Sequence, residues 1–419
     1  MSILCLNGEN IYQCFASGAI EVIKHKKSLN KINVFPVADG DTGSNLASTM
    51  NFIIEESKVM DSAKNTMSSI ADAALLGARG NSGIIMAQYI NGIFMSLKDD
   101  EEITITEFAE SVKKAVSFAY NAISNPVEGT IITVIRDWSN AVYSHKDDAN
   151  NFYELLKQPL DIALISLKKT TSMMVILEKS KVVDSGAKGF VHFIQGFTEF
   201  LKTGKIQELR LFEADDTSIS KHLVHDLKAI DHRYCTEALI SKKNIDIDLE
   251  YLKLQLKDLG DSLIVAGNHN KARVHIHTNY PQDVINTLRK KSNILFQKAD
   301  DIERQYQTVH EKKYKIALVT DSIADLPKDI LDKYQVHVVP LNIVIDNSSY
   351  LDKVTMTSDI VYGLVDELDE YPSTAQPNPK TVENMYSFLL NHYEQIIVIT
   401  VAEKQSGTNS IFKKEAEKI

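Results

Sequence analysis

Asn33-Val34-Phe35-Pro36-Val37-Ala38-Asp39-Gly40-Asp41-Thr42-Gly43-Ser44-Asn45 is the stretch on which the reading of this 419-residue chain turns. Two carboxylates alternate with glycine, and a run of small polar residues follows. Leu46, Met50 and Ile53 recur at helical spacing just beyond it, with Ser44 or Asn45 the expected N-cap. In an extended Asp-Gly-Asp, side chains two apart point the same way, so Asp39 and Asp41 suit a shared hard cation such as Mg2+. The amides after them lie at a helix N-terminus, which favours an anion. Cation and anion together describe a metal–nucleotide; a solvated Asp/Gly turn is the plainer alternative.

Working outward, residues 9–200 read as helical almost throughout, with segments near 9–28, 44–59, 62–77, 82–97, 106–123, 130–143, 152–169 and 187–203. Hardly any strand signal interrupts them, which predicts an all-helical bundle or barrel. Three further glycine-bearing polar loops precede helices: Gly77-Ala78-Arg79-Gly80-Asn81-Ser82-Gly83, Asn125-Pro126-Val127-Glu128-Gly129-Thr130 and Val182-Val183-Asp184-Ser185-Gly186-Ala187-Lys188-Gly189. Each is an ordinary capped turn on its own. Together they are candidates for converging on one ligand.

Bulk properties narrow the classes. The chain is 44% hydrophobic and 24% charged, ordinary for a folded protein of two or three domains. A net charge of −10 argues against general nucleic-acid or anionic-membrane binding. Three cysteines, Cys5, Cys14 and Cys235, do not make a disulfide framework and suit a reducing compartment. The N-terminus lacks the basic region of a signal peptide, and no apolar run approaches the ~20 residues that span a bilayer. A cytoplasmic location is the expectation.

The four motifs, in this order, resemble the kinase domain of bacterial fatty acid kinase catalytic subunits, which is related to the DhaL nucleotide-binding part of dihydroxyacetone kinases. The resemblance covers about residues 1–205. It implies an eight-helix barrel with ATP and two Mg2+ at one end. On that resemblance Asp39 and Asp41 bind the metals and are catalytic. Thr42, Gly43, Ser44 and Asn45 cradle phosphates, and Asn81, Ser82, Gly129, Thr130, Asp184, Ser185 and Gly186 contact nucleotide. Dihydroxyacetone kinases carry a third aspartate five residues ahead of the pair. Val34 stands there in this chain, with Asn33 one residue earlier offering an oxygen. The Asn-Val-Phe-Pro lead-in is the fatty acid kinase form.

After about residue 203 the composition changes. A polar connector leads to Tyr234-Cys235-Thr236-Glu237, a helix near 248–259, strands at 262–267 and 271–278, and a helix at 281–291: a small α/β domain over 206–300. His275 and His277 are two apart on a strand and face one side, a zinc pair that Cys235 could join; a solvent-facing pair beside a buried cysteine is the alternative. The Tyr-Cys-Thr-Glu and Val-His-Ile-His-Thr-Asn segments resemble the middle domain of the same fatty acid kinases. That resemblance implies Zn2+ on Cys235, His275 and His277. A fourth position is left unassigned, with His269, His232 and Glu237 as candidates, and a structural role is expected because the kinase domain has metals of its own.

Residues 301–313 read as a charged, helix-like linker, the helical pattern starting at 296. From 314 onward strands and helices alternate, predicting a parallel α/β sheet with strands at 314–322, 337–345 and 395–401. Thr-Asp-Ser, Asp-Leu-Pro, Val-Val-Pro-Leu, Thr-Ala-Gln-Pro and Ser-Gly-Thr over 314–419 resemble the DegV family of fatty-acid-binding proteins. The resemblance implies that Thr374 and Ser406 hold a fatty acid carboxylate; Ala375 replaces the usual serine. Ending at Ile419 inside a helix, the chain carries the N-terminal part of such a domain. The expected function is therefore an ATP- and Mg2+-dependent kinase that turns a carrier-bound fatty acid into acyl phosphate. The fatty acid would come from a DegV-like carrier or from the fused domain. The alternatives are one component of a dihydroxyacetone-type kinase, or a non-catalytic lipid-binding or regulatory protein. A homodimer is the assembly to test.

Overall fold

The computed structural model describes residues 3–35, 40–98, 101–206, 231–346, 348–366, 368 and 370–418. By contact density the chain divides into two compact units. The first is Met1–Ala229 with Asp248–Lys253 and Ser262–His275; the second is Ile230–Ile247 with Leu254–Asp261 and Ile276–Ile419.

The first unit is helical. Its helices are α1 (Gly8–Lys24), α2 (Lys26–Lys31), α3 (Thr42–Glu56), α4 (Ala63–Gly77), α5 (Gly80–Ser96), α6 (Ile105–Ala122), α7 (Ile131–Ser144), α8 (Phe152–Met173), α9 (Val175–Ser180) and α10 (Ser185–Thr203). A small antiparallel ribbon pairs β1 (Cys5–Leu6) with β2 (Ile103–Thr104). Among the described residues, α2 and α9 are six-residue pieces and the other eight helices run 14 to 22 residues. Each long helix packs on the next, and α10 returns to α1, so the eight close a ring.

Apolar spacing and caps make these helices. In α1 Ile11, Cys14, Phe15, Ala19 and Val22 fall on one buried face, and Asn7 caps the start through the Asn10 amide at 2.8 Å. In α10 Phe190, Phe193, Ile194, Phe197 and Leu201 face inward. The rings meet edge to face, Phe15 with Phe193 at 5.5 Å and Trp138 with Phe190 at 5.6 Å. Gly18 and Gly196 let α1 and α10 approach: a Cβ on Gly196 would lie 2.4 Å from the Ser17 carbonyl.

α3 begins earlier than the periodicity predicts. Asp41, not Ser44 or Asn45, is its N-cap residue. Gly40 turns the chain at φ +68, and Thr42 and Gly43 are already buried in the first turn against α2.

Beyond the helices comes a four-stranded sheet in the order β4-β5-β3-β6, built from β3 (Tyr234–Lys242), β4 (Asp261–Gly267), β5 (Lys271–Thr278) and β6 (Ser292–Asp301). α11 (Leu249–Leu256), α12 (Pro281–Arg289) and α13 (Ile302–His310) accompany it. Within the first unit, Ile264 and Ala266 of β4 join the helical core, and the Gly267 amide donates to Gln88 Oε1 at 2.8 Å. The helical reading of 296–313 is corrected over its first third: residues up to Asp301 are strand. Their polar side chains resemble a linker, but cross-strand partners sustain them, Lys298 opposite Glu237 and Asp300 opposite Cys235.

In the second unit β7 (Ile316–Asp321), β8 (His337–Val339) and β12 (Gln395–Ile399) form a parallel sheet in the order β12-β7-β8. β9 (Asn342–Ile345), β10 (Ser348–Leu351) and β11 (Ser373–Ala375) form a separate antiparallel sheet. α14 (Lys328–Lys333), α15 (Ser358–Val365), α16 (Pro379–Leu390) and α17 (Thr408–Ala416) complete it. The single strand expected over 337–345 is two strands in two sheets. Pro340 has no N–H for a ladder, and the Leu341 amide donates instead to Ser322 Oγ at 3.1 Å. Buried charge braces this unit: Arg233 reaches Asp301 at 2.7 Å and Asp332 at 2.8 Å, and Arg304 reaches Asp332 at 2.6 Å. No described helix is long and apolar enough to cross a membrane.

Candidate functional site

The four glycine-bearing loops meet at one end of the helical ring. Asn30 of α2 accepts the Ser44 amide at 3.0 Å and donates to Ser44 Oγ at 3.0 Å, pinning the first turn of α3. Asn45 lies against Gly80 at the start of α5, so close that a Cβ on Gly80 would stand 2.3 Å from Asn45 Nδ2. Gly80 also has φ +55, so the site needs glycine there twice over. Ser82 lies against Gly186 of α10, where a Cβ would come 2.6 Å from Ser82 Oγ. Asp184 caps α10 by accepting the Ala187 amide at 2.7 Å, and it also accepts the Ile131 amide at the head of α7. Ser185 Oγ donates to the Leu29 carbonyl of α2 at 2.8 Å, closing the circuit.

The helix starts at this end differ in how their amides are satisfied. α3, α5 and α7 begin with Asp41, Arg79 and Thr130, and none makes a side-chain cap hydrogen bond. Of the four, only α10 is capped by its own N-cap side chain, that of Asp184. Asn30 takes the Ser44 amide of α3 and Asp184 the Ile131 amide of α7, so those two helix heads are served by side chains from other elements rather than by their own N-cap residues. A helix N-terminus favours an anion such as a phosphate through its amides and dipole. The surrounding side chains are hard oxygen donors: the Asp41 carboxylate and the hydroxyls of Thr42, Ser44 and Ser82. That donor set and the glycine-lined close approaches fit a magnesium nucleotide. Asp39 lies outside the described residues.

Charge tunes the rim. Burial pushes the Asp184 carboxyl up to about 6 against the pull of its two backbone amides. Glu128 anchors the loop before α7: it accepts from Thr133 at 2.6 Å, Tyr120 at 2.8 Å and Arg136 at 2.8 Å, while the Gly129 amide donates to Thr133 Oγ1 at 2.8 Å. Those hydrogen bonds and the nearby Arg136 guanidinium hold the Glu128 carboxyl below its ordinary range, although burial opposes them. Gly129 sits at φ +87, with Thr130 following as the cap position. Asn30 and Glu128 were not singled out as site residues by sequence; neither stands in a distinctive spacing.

The tightness of this end gives a direct test. A Cβ on Gly43 would lie 2.2 Å from the Lys26 carbonyl, so Gly43→Ala must push α2 from α3. It is expected to cost about 1–3 kcal/mol in urea denaturation and to weaken nucleotide binding by titration. Gly363→Ala, with nothing within 4 Å of the new Cβ, serves as the neutral control.

The second cluster is on the four-stranded sheet. Cys235, His275 and His277 offer ligand atoms within 4.8 Å of one another. His275 is buried, and the Asp261 carboxylate stands 3.6 Å from His277 Nδ1. Lys298, ion-paired with Asp300, contributes positive charge at Cys235. Soft thiolate with imidazoles suits zinc. Of the fourth ligands considered, none joins the three within that distance among the described residues. His232 instead lies 3.8 Å from Asp261, which makes Asp261 the carboxylate beside two histidines that sequence reading missed.

The third region lies at the C-terminal ends of β7 and β12. Asp321 accepts the Val401 amide at 2.8 Å and the Ile323 amide at 3.1 Å, tying the two strand ends together. Thr374 is exposed on β11 and pairs with Ile343. Ser406 Oγ lies 2.9 Å from Thr408 Oγ1. The two loops approach one another, since a Cβ on Gly407 would meet Gln376 Nε2 at 2.2 Å.

Comparison with known proteins follows the same three regions. The DAK2 domain model matches residues 36–199, the middle-domain model of the fatty acid kinase A-like family matches 231–309, and the DegV family model matches 315–419. An uncharacterized protein of Staphylococcus epidermidis is 31% identical over 318 residues, 74% of this chain and 57% of that protein. One from Staphylococcus saprophyticus is 32% identical over 317 residues, with the same shares. The chain thus spans little more than half the length of these curated relatives. A solved DegV family protein from Thermus thermophilus, described for its fatty acid binding, is 30% identical. It covers 25% of this chain and 38% of its own, with a TM-score of 0.24. A DAK2 domain, a fatty-acid-kinase-like middle domain and a DegV region therefore follow one another in this polypeptide.

Proposed function

We propose that this chain is an ATP- and Mg2+-dependent kinase that phosphorylates the carboxylate of a fatty acid presented by a DegV-like carrier or by its own DegV region. The observation that carries the reading is the close meeting of the heads of α3, α5 and α10, Asn45 against Gly80 and Ser82 against Gly186, next to Asp41. The order of the three domains supports the acceptor. The first-turn backbone of α3 and α5 would approach the phosphates, and the Thr42, Ser44 and Ser82 hydroxyls would fix their orientation. Magnesium, when bound, neutralises phosphate charge, and Asp41 with Asp39 would hold it. Asp184 aligns α7 with α10 through the Ile131 and Ala187 amides. A carboxylate acceptor is ionised near neutral pH, so the chain need supply no general base. Catalysis here is positioning and charge placement. The test mixes the protein with Mg-ATP, a long-chain fatty acid and a DegV carrier and traps acyl phosphate with hydroxylamine. No trapped product, or product independent of ATP, overturns it.

Cys235, His275 and His277 would hold zinc in a structural role. Cys235→Ser is expected to remove a zinc that survives dialysis against a moderate chelator and to lower the melting temperature. Metal analysis showing the same retained zinc in both proteins would exclude this assignment.

A further inference from the structure

A second group of ligand-type side chains lies in the helical unit, away from the loops. Glu21 and His25 stand four apart in the last turn of α1, and His192 faces them from α10. Their ligand atoms all fall within 4.8 Å of one another. The two imidazoles stack, 3.8 Å between centroids and 8° from parallel. The Glu21 carboxylate is 3.4 Å from His25 Nδ1. His192 Nδ1 is 3.1 Å from Gln195 Oε1, which leaves Nε2 as the other ring nitrogen. That atom is buried and has no hydrogen-bond partner among the described residues. A buried polar nitrogen without a partner costs about 1–3 kcal/mol, so something is expected to satisfy it.

We propose that Glu21, His25 and His192 form a transition-metal site of the zinc class, distinct from the Cys235 cluster. Two imidazoles and one carboxylate leave a coordination position for water. A cavity of about 390 Å³ shares Glu21 with the cluster and has Ser17, Gln195, Glu199 and Lys205 on its walls, which gives room for water ligands. The His25 ring, stacked on His192, has its Nδ1 2.9 Å from the Glu21 backbone carbonyl, so an ion would exchange that contact for the Glu21 carboxylate, with the half-exposed His25 ring turning out of the stack. Lys24, 3.6 Å from Glu21, and the positive potential of Lys188 compete with an ion and keep the affinity moderate. The ion would clamp the end of α1 to α10. α2 starts at the next residue, and its Leu29 and Asn30 hold Ser185 and Ser44, so the clamp would stiffen the nucleotide end.

The test loads the full chain with zinc at the Cys235 cluster, adds excess magnesium to fill oxygen sites, and titrates further zinc against a chromogenic chelator. Wild type is expected to take up a further ion. His25→Ala, on a surface-facing ring, should weaken that uptake at least about tenfold while retaining the first zinc, and His192→Ala should do the same. Cys235→Ser should lose the first zinc and keep the second. Uptake confined to the Cys235 cluster, or a further ion bound equally by His25→Ala, overturns the proposal. Neither outcome depends on the kinase activity.

Discussion

Asp41→Asn is expected to lower the rate of acyl phosphate formation about 10²–10³-fold while leaving the melting temperature within a few degrees of wild type. The side chain stands at the N-cap position of α3 without making a side-chain cap hydrogen bond. The substitution keeps shape and removes charge. If the carboxylate acts by holding magnesium against the phosphates, nucleotide binding in the absence of magnesium should change far less than turnover. Equal turnover in the two proteins, measured by hydroxylamine trapping at saturating ATP, would remove Asp41 from the mechanism.

Asp184→Asn is expected to reshape stability against pH. The carboxyl titrates at about 6 in the fold against 3.8 in the unfolded chain, because burial disfavours its charge. A raised acid favours the protonated folded form. Its stabilising contribution is present in full below 3.8 and is lost as the pH rises through about 6. A displacement of that size corresponds to about 3 kcal/mol across the window. Asparagine keeps an oxygen that can accept the Ala187 amide and carries no charge. The variant should therefore unfold at higher denaturant than wild type at pH 7, with the difference shrinking toward pH 4. Urea midpoints that stay parallel across this range would show that Asp184 is not buried as charge.

Much of the helical ring was legible because its signals are local. Phe15, Met50 and Phe193 fall on buried helix faces, and each of the eight long helices coincides with a predicted segment to within a few residues. The loops were legible as glycine-bearing turns, and Asp41, Ser82 and Asp184 were chosen from them. What brings them together was not legible. Asn30, which holds Ser44, and the Ile131 amide, which Asp184 accepts, are ordinary residues whose value arises only after the ring closes. The misreadings have similar causes. The polar run before Asp301 is strand because β3 lies opposite, a partner some 60 positions away that periodicity does not see. Pro340 divides a β-branched run between two sheets, and hydropathy alone reads that run as continuous.

The bond from Ser185 to Leu29 spans 156 positions. Its length has a consequence for synthesis. The loop end of the ring has no piece that can form early: α2 and α3 emerge first, but their closing partner is among the last helical residues made. A nascent chain ending before Ser185 holds three of the four loops with no seat for them. The helical unit is therefore expected to gain protection in one step as α10 is completed, read by protease resistance of stalled chains released just before and just after α10.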